Sequence, residues 1–212
     1  MLKLAGYSVV GLTLPTGLFQ ERVAFLRRVF LEAGLETALR IDLTSTSRTD
    51  LLRLLRRFRN SYDIIAVKCT NQAVSTVACR DRRVDLVFFD SRNPRARFNH
   101  SFASLLGGAL EFNLVSSLLK ESRTEIVSRI VKEAGIARRH RTKVVLSSGC
   151  TTPDMVRSPN QIEALGGAVG LTSKQTSSGI SNVPISIVAR NFERRSRQYV
   201  EEGVKVVLPK AE

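Results

Sequence analysis

A TIM-like (β/α) barrel is the fold class that this 212-residue sequence predicts, and three observations carry the prediction. Short apolar runs alternate with amphipathic helical patterns almost throughout. Most of those runs are near-continuous in Val, Ile, Leu and Ala, as expected of parallel strands covered on both faces. The length suits one domain spanning 1–212, and no linker or low-complexity stretch divides it. A doubly wound open sheet is the runner-up.

The strand candidates are Tyr7–Leu14, Thr37–Leu43, Asp63–Cys69, Asp85–Phe89, Ala109–Leu114, Lys143–Ser147, Ala168–Leu171 and Gly203–Leu208. Phe19, Val23, Leu26 and Phe30 share one face of the first helix. In the second, Leu51, Leu55 and Phe58 share a face while Arg53, Arg56 and Arg57 look outward. Ser47 with Asp50, and Ser122 with Glu125, are spaced as capping boxes. Ser158-Pro159 sets a cap before a proline at the first helical position, and Asn182-Val183-Pro184 has a similar layout. Gly34 and Gly135 stand where helix C-caps belong. The opening MLKLAGY reads as a helix end feeding the first strand, whereas an ordinary barrel places a strand ahead of that helix. Either the start at Met1 is late, or the barrel is without its first strand and helix and another element covers the gap.

Charge narrows the function. Lys and Arg number 33 against 19 Asp and Glu, a formal net charge of +14, and 25 of the 33 are Arg. Such an excess repels itself unless a polyanion neutralises it, and nucleic acid is the foremost polyanion, ahead of a membrane surface. Ten Phe, three Tyr and no Trp leave little material for stacking on bases. Recognition of phosphates and shape is the expected mode. Cys69, Cys79 and Cys150 form no CxxC pair and read as buried reduced thiols. No apolar run reaches the ~18 residues of a membrane span, and no signal-peptide layout opens the chain, so a cytoplasmic protein is expected.

The most informative stretch runs from Val84 to Leu119. An apolar strand enters Asp90, Ser91 and Arg92. A turn at Asn93-Pro94 follows, then Arg95, Arg97, Asn99 and His100, a short helix from Phe102 to Leu106, and the strand at Ala109. Guanidinium groups on a strand-end loop suit bidentate capture of phosphate. His100 either touches RNA or caps the helix that begins there.

Strand ends supply Asp42, Lys68, Asp90, Glu111, Ser147, Ser148 and Thr172. A metal held by Asp42, Asp90 and Glu111 would make a barrel phosphoesterase, the competing enzyme reading. Its weaknesses are that strand-end carboxylates usually cap helices or pair with Arg, and that two histidines, His100 and His140, are too few for such a site. A protein-only interaction scaffold is the third reading. Further basic clusters lie at Arg53–Arg59, Arg80–Arg83, Arg138–Lys143 and Arg190–Arg197.

Three stretches carry a resemblance to a known family: VDLVFFDSRNPRARFNHSFASLL with the following ALEFNLVSSLL; VVLSSGC; and VRSPNQIEALGGAVGLTSKQTSSGIS. They resemble the ribonuclease P component 3 family, the archaeal counterpart of the eukaryotic p-thirty subunit. With YSVVGLTL the similarity spans essentially the whole chain. It implies a TIM-like barrel related to phosphoesterase barrels but without their metal ligands. It implies an accessory subunit of the ribonucleoprotein that removes 5′ leaders from precursor tRNA. The RNA would carry the Mg2+-dependent chemistry, and the protein would bind no cofactor of its own. The implied partners are ribonuclease P RNA, protein component 2 as a dimer of heterodimers, the other protein components and, indirectly, precursor tRNA. Carried onto this sequence, Arg92, Arg95, Arg97, Asn99, His100, Ser147, Ser148, Arg157 and Lys174 are the candidates for RNA or partner contacts.

Overall fold

In this computed structural model, which describes residues 2–15, 17, 20–90, 93, 95–115, 123–196, 198–201, 204 and 205, six parallel strands follow one another in chain order. They are β1 (Val9–Thr13), β2 (Glu36–Thr44), β3 (Ile64–Cys69), β4 (Leu86–Phe89), β5 (Ala109–Asn113) and β6 (Val144–Ser147), and each pairs with the next. The helices between them are α1 (Gln20–Glu32), α2 (Arg48–Phe58), α3 (Gln72–Arg80), α4 (His100–Leu105) and α5 (Arg123–Arg139). After β6 come α6 (Pro159–Ala168), α7 (Ser173–Ile180) and α8 (Asn182–Arg194). Among the described residues the sheet is a six-stranded, curled half-barrel of the TIM-like type.

Alternate strand residues face opposite ways, and the two faces have different compositions. Ile41, Leu43, Ile65, Val67, Val87 and Leu110 pack outward under the helices, where they meet Leu51, Leu55 and Phe58 of α2 and Ile130 and Ala134 of α5. Each such large apolar side chain contributes about 1.5–3 kcal/mol by burial. The inner face is built from Ala38, Ile64, Ala66, Leu86, Ala109 and Val145. Its alanines leave room for α8, whose Ile187 and Val183 fill the interior.

Two acids stand at strand starts. The Asp63 carboxylate accepts the Leu39 N–H at 2.7 Å and pairs with Arg27 of α1 and with Arg195 just after α8. Asp85, fully buried, accepts the Ile65 N–H at 2.8 Å and pairs with Arg59 and Arg190, each at 2.7 Å. The Asn191 amide donates to the Asp63 carbonyl at 2.9 Å. These contacts hold α8 across the N-terminal mouth of the barrel.

Several local expectations hold. Ser47 caps α2, Ser158 forms a full capping box on α6 with Pro159 at its first position, and Gly34 (φ +72°) closes α1. Phe19 and Ser122 lie outside the described residues. Residues 2–6 form turns, not a helix end.

Others are corrected. Ala168–Leu171 is not a strand: Ala168 ends α6, Gly170 turns the chain at φ +96°, and Thr172, also not a strand end, caps α7. The apolar pattern there belongs to a tight helix–turn–helix whose Val169 and Leu171 reach the outer core. Gly203–Leu208 contributes only Val204–Lys205 within the described residues, paired antiparallel with Tyr199–Glu201 in a hairpin separate from the barrel sheet. Gly135 caps nothing; it lies inside α5, which runs on to Arg139 before Arg141 (φ +52) turns the chain. Ser181, not Asn182, precedes α8, and its hydroxyl bonds back to the Ser177 carbonyl.

Two substitutions test this account. Asp85→Ala leaves two arginines facing a pocket without their carboxylate and should cost about 3–5 kcal/mol. A Cβ at Gly108 would lie 2.6 Å from the Asp85 carbonyl oxygen, a backbone atom that cannot swing away, so Gly108→Ala should cost about 1–3 kcal/mol. Urea denaturation of each purified variant reads both losses; an unchanged midpoint would refute the corresponding contact.

Candidate nucleic-acid interface

The segment between β4 and α4 alternates in burial. Ala96 and Phe98 are buried while Arg95 and Arg97 are exposed. Phe98 packs on Phe89 with ring centroids 5.8 Å apart, and Phe89 stacks on Phe102 at 5.9 Å. The Asn93 amide donates to the Thr70 carbonyl at 2.8 Å, and its side-chain oxygen accepts the Arg95 N–H at 2.9 Å. The loop is thus pinned from below by aromatic side chains, which leaves both guanidinium groups facing solvent. Arg92 lies outside the described residues.

Asn99 acts locally, capping α4 by accepting the Phe102 N–H at 2.9 Å. His100 opens that helix, with Nδ1 2.9 Å from Nε2 of His140 at the end of α5. Below the loop, Glu133 of α5 accepts the Phe98 N–H at 3.3 Å. Burial pushes its carboxyl up to about 7, against the opposing pull of the Phe98 amide, Arg97 and Arg129.

The last turns of α5 carry a dense cationic surface. His100, Lys132, Gly135, Ile136, Arg138 and Arg139 line a cleft of about 670 Å³. A second cleft of about 510 Å³ is lined by Arg138, Arg141, Lys143, Thr172, Lys174 and Gln175, among others. Arg138 borders both and donates to the Gly170 carbonyl at 3.4 Å. Exposed Lys174 therefore shares a wall with three basic residues from the end of α5 and the start of β6. Sequence spacing does not show that adjacency, because 33 residues separate Arg141 from Lys174.

The C-terminal mouth of the barrel is polar but internally matched. Arg40 reaches both Glu111 oxygens, at 2.5 and 2.6 Å, and also Asp42 at 2.6 Å. Burial works against the Arg40 charge, yet these carboxylates outweigh it and hold the guanidinium above its ordinary value. Lys68 pairs with Asp90 at 3.0 Å. All three strand-end carboxylates thus face a cation rather than one another. Among the described residues, no group of three or more His, Cys, Asp or Glu converges to hold a metal.

Ser147 donates to the Asn113 side chain, and the Ser148 hydroxyl accepts the Cys150 N–H at 3.3 Å. Arg157 ties its own loop by donating to the Asp154 and Val156 carbonyls at 2.7 and 2.9 Å, while its carbonyl accepts the Tyr7 hydroxyl at 2.8 Å. Cys69 and Cys79 are buried, with thiols raised by that burial, whereas Cys150 is exposed, contrary to the expectation for all three.

The basic clusters sort by partner. Arg59, Arg190 and Arg195 are spent on Asp85 and Asp63, and Arg83 on Asp81. The cluster at Arg138–Lys143 instead lines open clefts. Glu133 is the residue that sequence reasoning misses; its signal is an acid on the helix face that also carries Ile126, Ile130 and Ala137 toward the core.

Glu133 makes stability depend on pH. Its folded value lies above the ordinary one, so the folded state holds the proton more tightly than the unfolded chain does. Its contribution is full below the ordinary value, about 4.5, and is lost as pH rises through about 7. Between those limits the loss approaches about 1.4 kcal/mol per pH unit. Denaturation midpoints at pH 5 and pH 8 should converge in Glu133→Gln relative to the unsubstituted protein; an identical pH dependence in both would refute this.

Comparison with known proteins completes the description. A family model described as RNase P subunit p30 matches residues 20–196. Ribonuclease P protein component 3 of Methanosarcina acetivorans is 26% identical over 207 residues, covering 95% of this chain and 84% of that protein. The component 3 of Methanothermobacter thermautotrophicus is 25% identical over 181 residues, covering 81% of this chain and 72% of that one. Among solved structures, a chain in the cryo-EM structure of archaeal Ribonuclease P with mature tRNA matches with a TM-score of 0.86 at 16% identity, covering 100% of this chain and 94% of its own length.

Proposed function

The chain belongs to the RNase P subunit p30 family, and on that premise we propose that it binds and stabilises the catalytic RNA of ribonuclease P as a non-catalytic subunit. The observation that carries this reading is the pinned loop, where buried Ala96 and Phe98 hold Arg95 and Arg97 outward beside the cationic clefts at the end of α5. Guanidinium and ammonium groups so arranged neutralise phosphates without reading bases. The strand-end carboxylates are already engaged by Arg40 and Lys68, so they support no hydrolytic role for the protein.

In this reading the RNA performs the Mg2+-dependent cleavage that forms mature tRNA 5′ ends. The protein works beside component 2 in a dimer of heterodimers, with the other protein components, and meets precursor tRNA indirectly. Arg92, Arg95, Arg97, His100 and Lys174 supply contacts to RNA. Asn99, Ser147, Ser148 and Arg157 shape the loops that present surfaces to RNA or to component 2. A cytoplasmic site of action accords with this role; among the described residues no helix is long and apolar enough to cross a membrane.

The test is precursor-tRNA cleavage by ribonuclease P RNA at moderate Mg2+, with component 2 alone, this chain alone, and both. Both together should raise cleavage, while the chain without RNA cleaves nothing. Arg95→Ala with Arg97→Ala should lower cleavage by roughly 30-fold or more, since two charge-assisted contacts at about 1–2 kcal/mol each sum to about 2–4 kcal/mol, and should move the denaturation midpoint far less than Asp85→Ala does. RNA affinity should fall steeply with salt. No gain from adding the chain, or unchanged cleavage by the double variant, would overturn the assignment.

A further inference from the structure

The only two histidines of the sequence, 40 residues apart, touch. Their ring centroids are 5.1 Å apart and the rings are tilted by 47°. At 2.9 Å one facing nitrogen must donate and the other accept. Two fully protonated rings would oppose N–H to N–H, so the contact requires at least one neutral ring.

The surroundings give this pair a ligand preference. His100 lines the 670 Å³ cleft with Lys132, Arg138 and Arg139, and among the described residues that lining includes no carboxylate or thiolate. Helix α4 brings no charged side chain besides His100, since its sequence is HSFASL. The preceding loop brings Arg95 and Arg97. Helix α5 adds Arg129 and Glu133, the latter turned toward the Phe98 amide, and the chain beyond α5 adds Arg141 and Lys143 in the adjoining cleft. A metal cation would be repelled here. An anion would be attracted, and between the rings it would convert both histidines into donors.

We propose that this cleft binds a phosphate group and that binding draws one proton from solvent onto the His100–His140 pair. The N···N contact opens, and two N–H groups donate to phosphate oxygens, with Lys132, Arg138 and Arg139 supplying fixed positive charge. No covalent bond forms or breaks. The inference rests on the RNA-binding reading above for the source of the phosphate, a backbone phosphodiester, while the cleft itself requires only a phosphate oxyanion.

The experiment uses the full chain in a Glu133→Gln background, which removes the nearby carboxyl that titrates in the same range. Affinity for ribonuclease P RNA is measured at pH 6 and pH 8 at constant salt, with and without His100→Gln and His140→Gln together. Histidine ring resonances are followed during titration with inorganic phosphate. The parent should bind RNA more weakly at pH 8, by roughly tenfold or more, since uptake of up to one proton allows a change of up to about a hundredfold across two pH units, and the double variant should lose that difference. Phosphate should shift both histidines toward the protonated form. RNA binding with the same pH dependence in parent and double variant would overturn the cleft and leave the RNA reading standing. Absence of RNA binding at both pH values, with phosphate still shifting the rings, would overturn the RNA reading and retain a phosphate site. Histidine resonances indifferent to phosphate would overturn the site itself.

Discussion

The partial barrel depends on two carboxylates at the starts of neighbouring strands. An open edge deprives a curled parallel sheet of the closure that normally fixes strand tilt and fills the interior. Asp63 and Asp85 replace part of that constraint. Each takes a backbone amide of the preceding strand and two arginines from elements far apart in sequence. Arg190 and Arg195 thereby draw α8 across the N-terminal mouth, and Ile187 follows into an interior where Ala38, Ala66 and Ala109 leave it room. Buried ion pairs of this kind add little net stability compared with an apolar core, but breaking one partner is expensive, so they specify where α8 sits.

That arrangement divides the arginine surplus into two populations. One is internal to the fold: Arg40 on Glu111 and Asp42, Arg59 and Arg190 on Asp85, Arg195 on Asp63. The other is presented outward by apolar anchors. Arg95 and Arg97 alternate with Ala96 and Phe98, and the cations at the end of α5 surround clefts rather than carboxylates. A net charge of +14 therefore understates how uneven the surface is. Asp42, Asp63, Asp85 and Glu111 are engaged within the barrel, while the clefts at the end of α5 are lined by Lys132, Arg138, Arg139, Arg141 and Lys143.

The same division is visible at the C-terminal mouth of the barrel. Chemistry in such folds sits at the C-terminal ends of the strands. Here those ends hold Arg40 clamped in Glu111, Lys68 on Asp90, and Ser147 on Asn113. Arg40 of β2 reaches across the barrel to Glu111 of β5, while Lys68 and Ser147 are met by the strand next to theirs, so the mouth works as a polar core layer. The surface proposed to meet RNA lies instead on the outside, on the loop and helices flanking β4 to β6.

The sequence by itself determined the alternation of strands and helices, six of the parallel strands to within a residue or two, the caps at Ser47 and Ser158, and the prominence of the Asn93–His100 segment. These follow from local physics: period-2 and period-3.6 burial, capping hydroxyls, and an apolar run ending in arginines. Only the tertiary structure decided that Ala168–Leu171 turns between helices, because Gly170 needs a positive φ that apolar composition does not reveal. It also decided which arginines are spent, since Asp63 and Asp85 select theirs across as many as 132 residues. And it brought His100 to His140, Lys174 to Arg138, and Glu133 beneath the loop, contacts set by how α4, α5 and α7 pack and therefore absent from any local pattern.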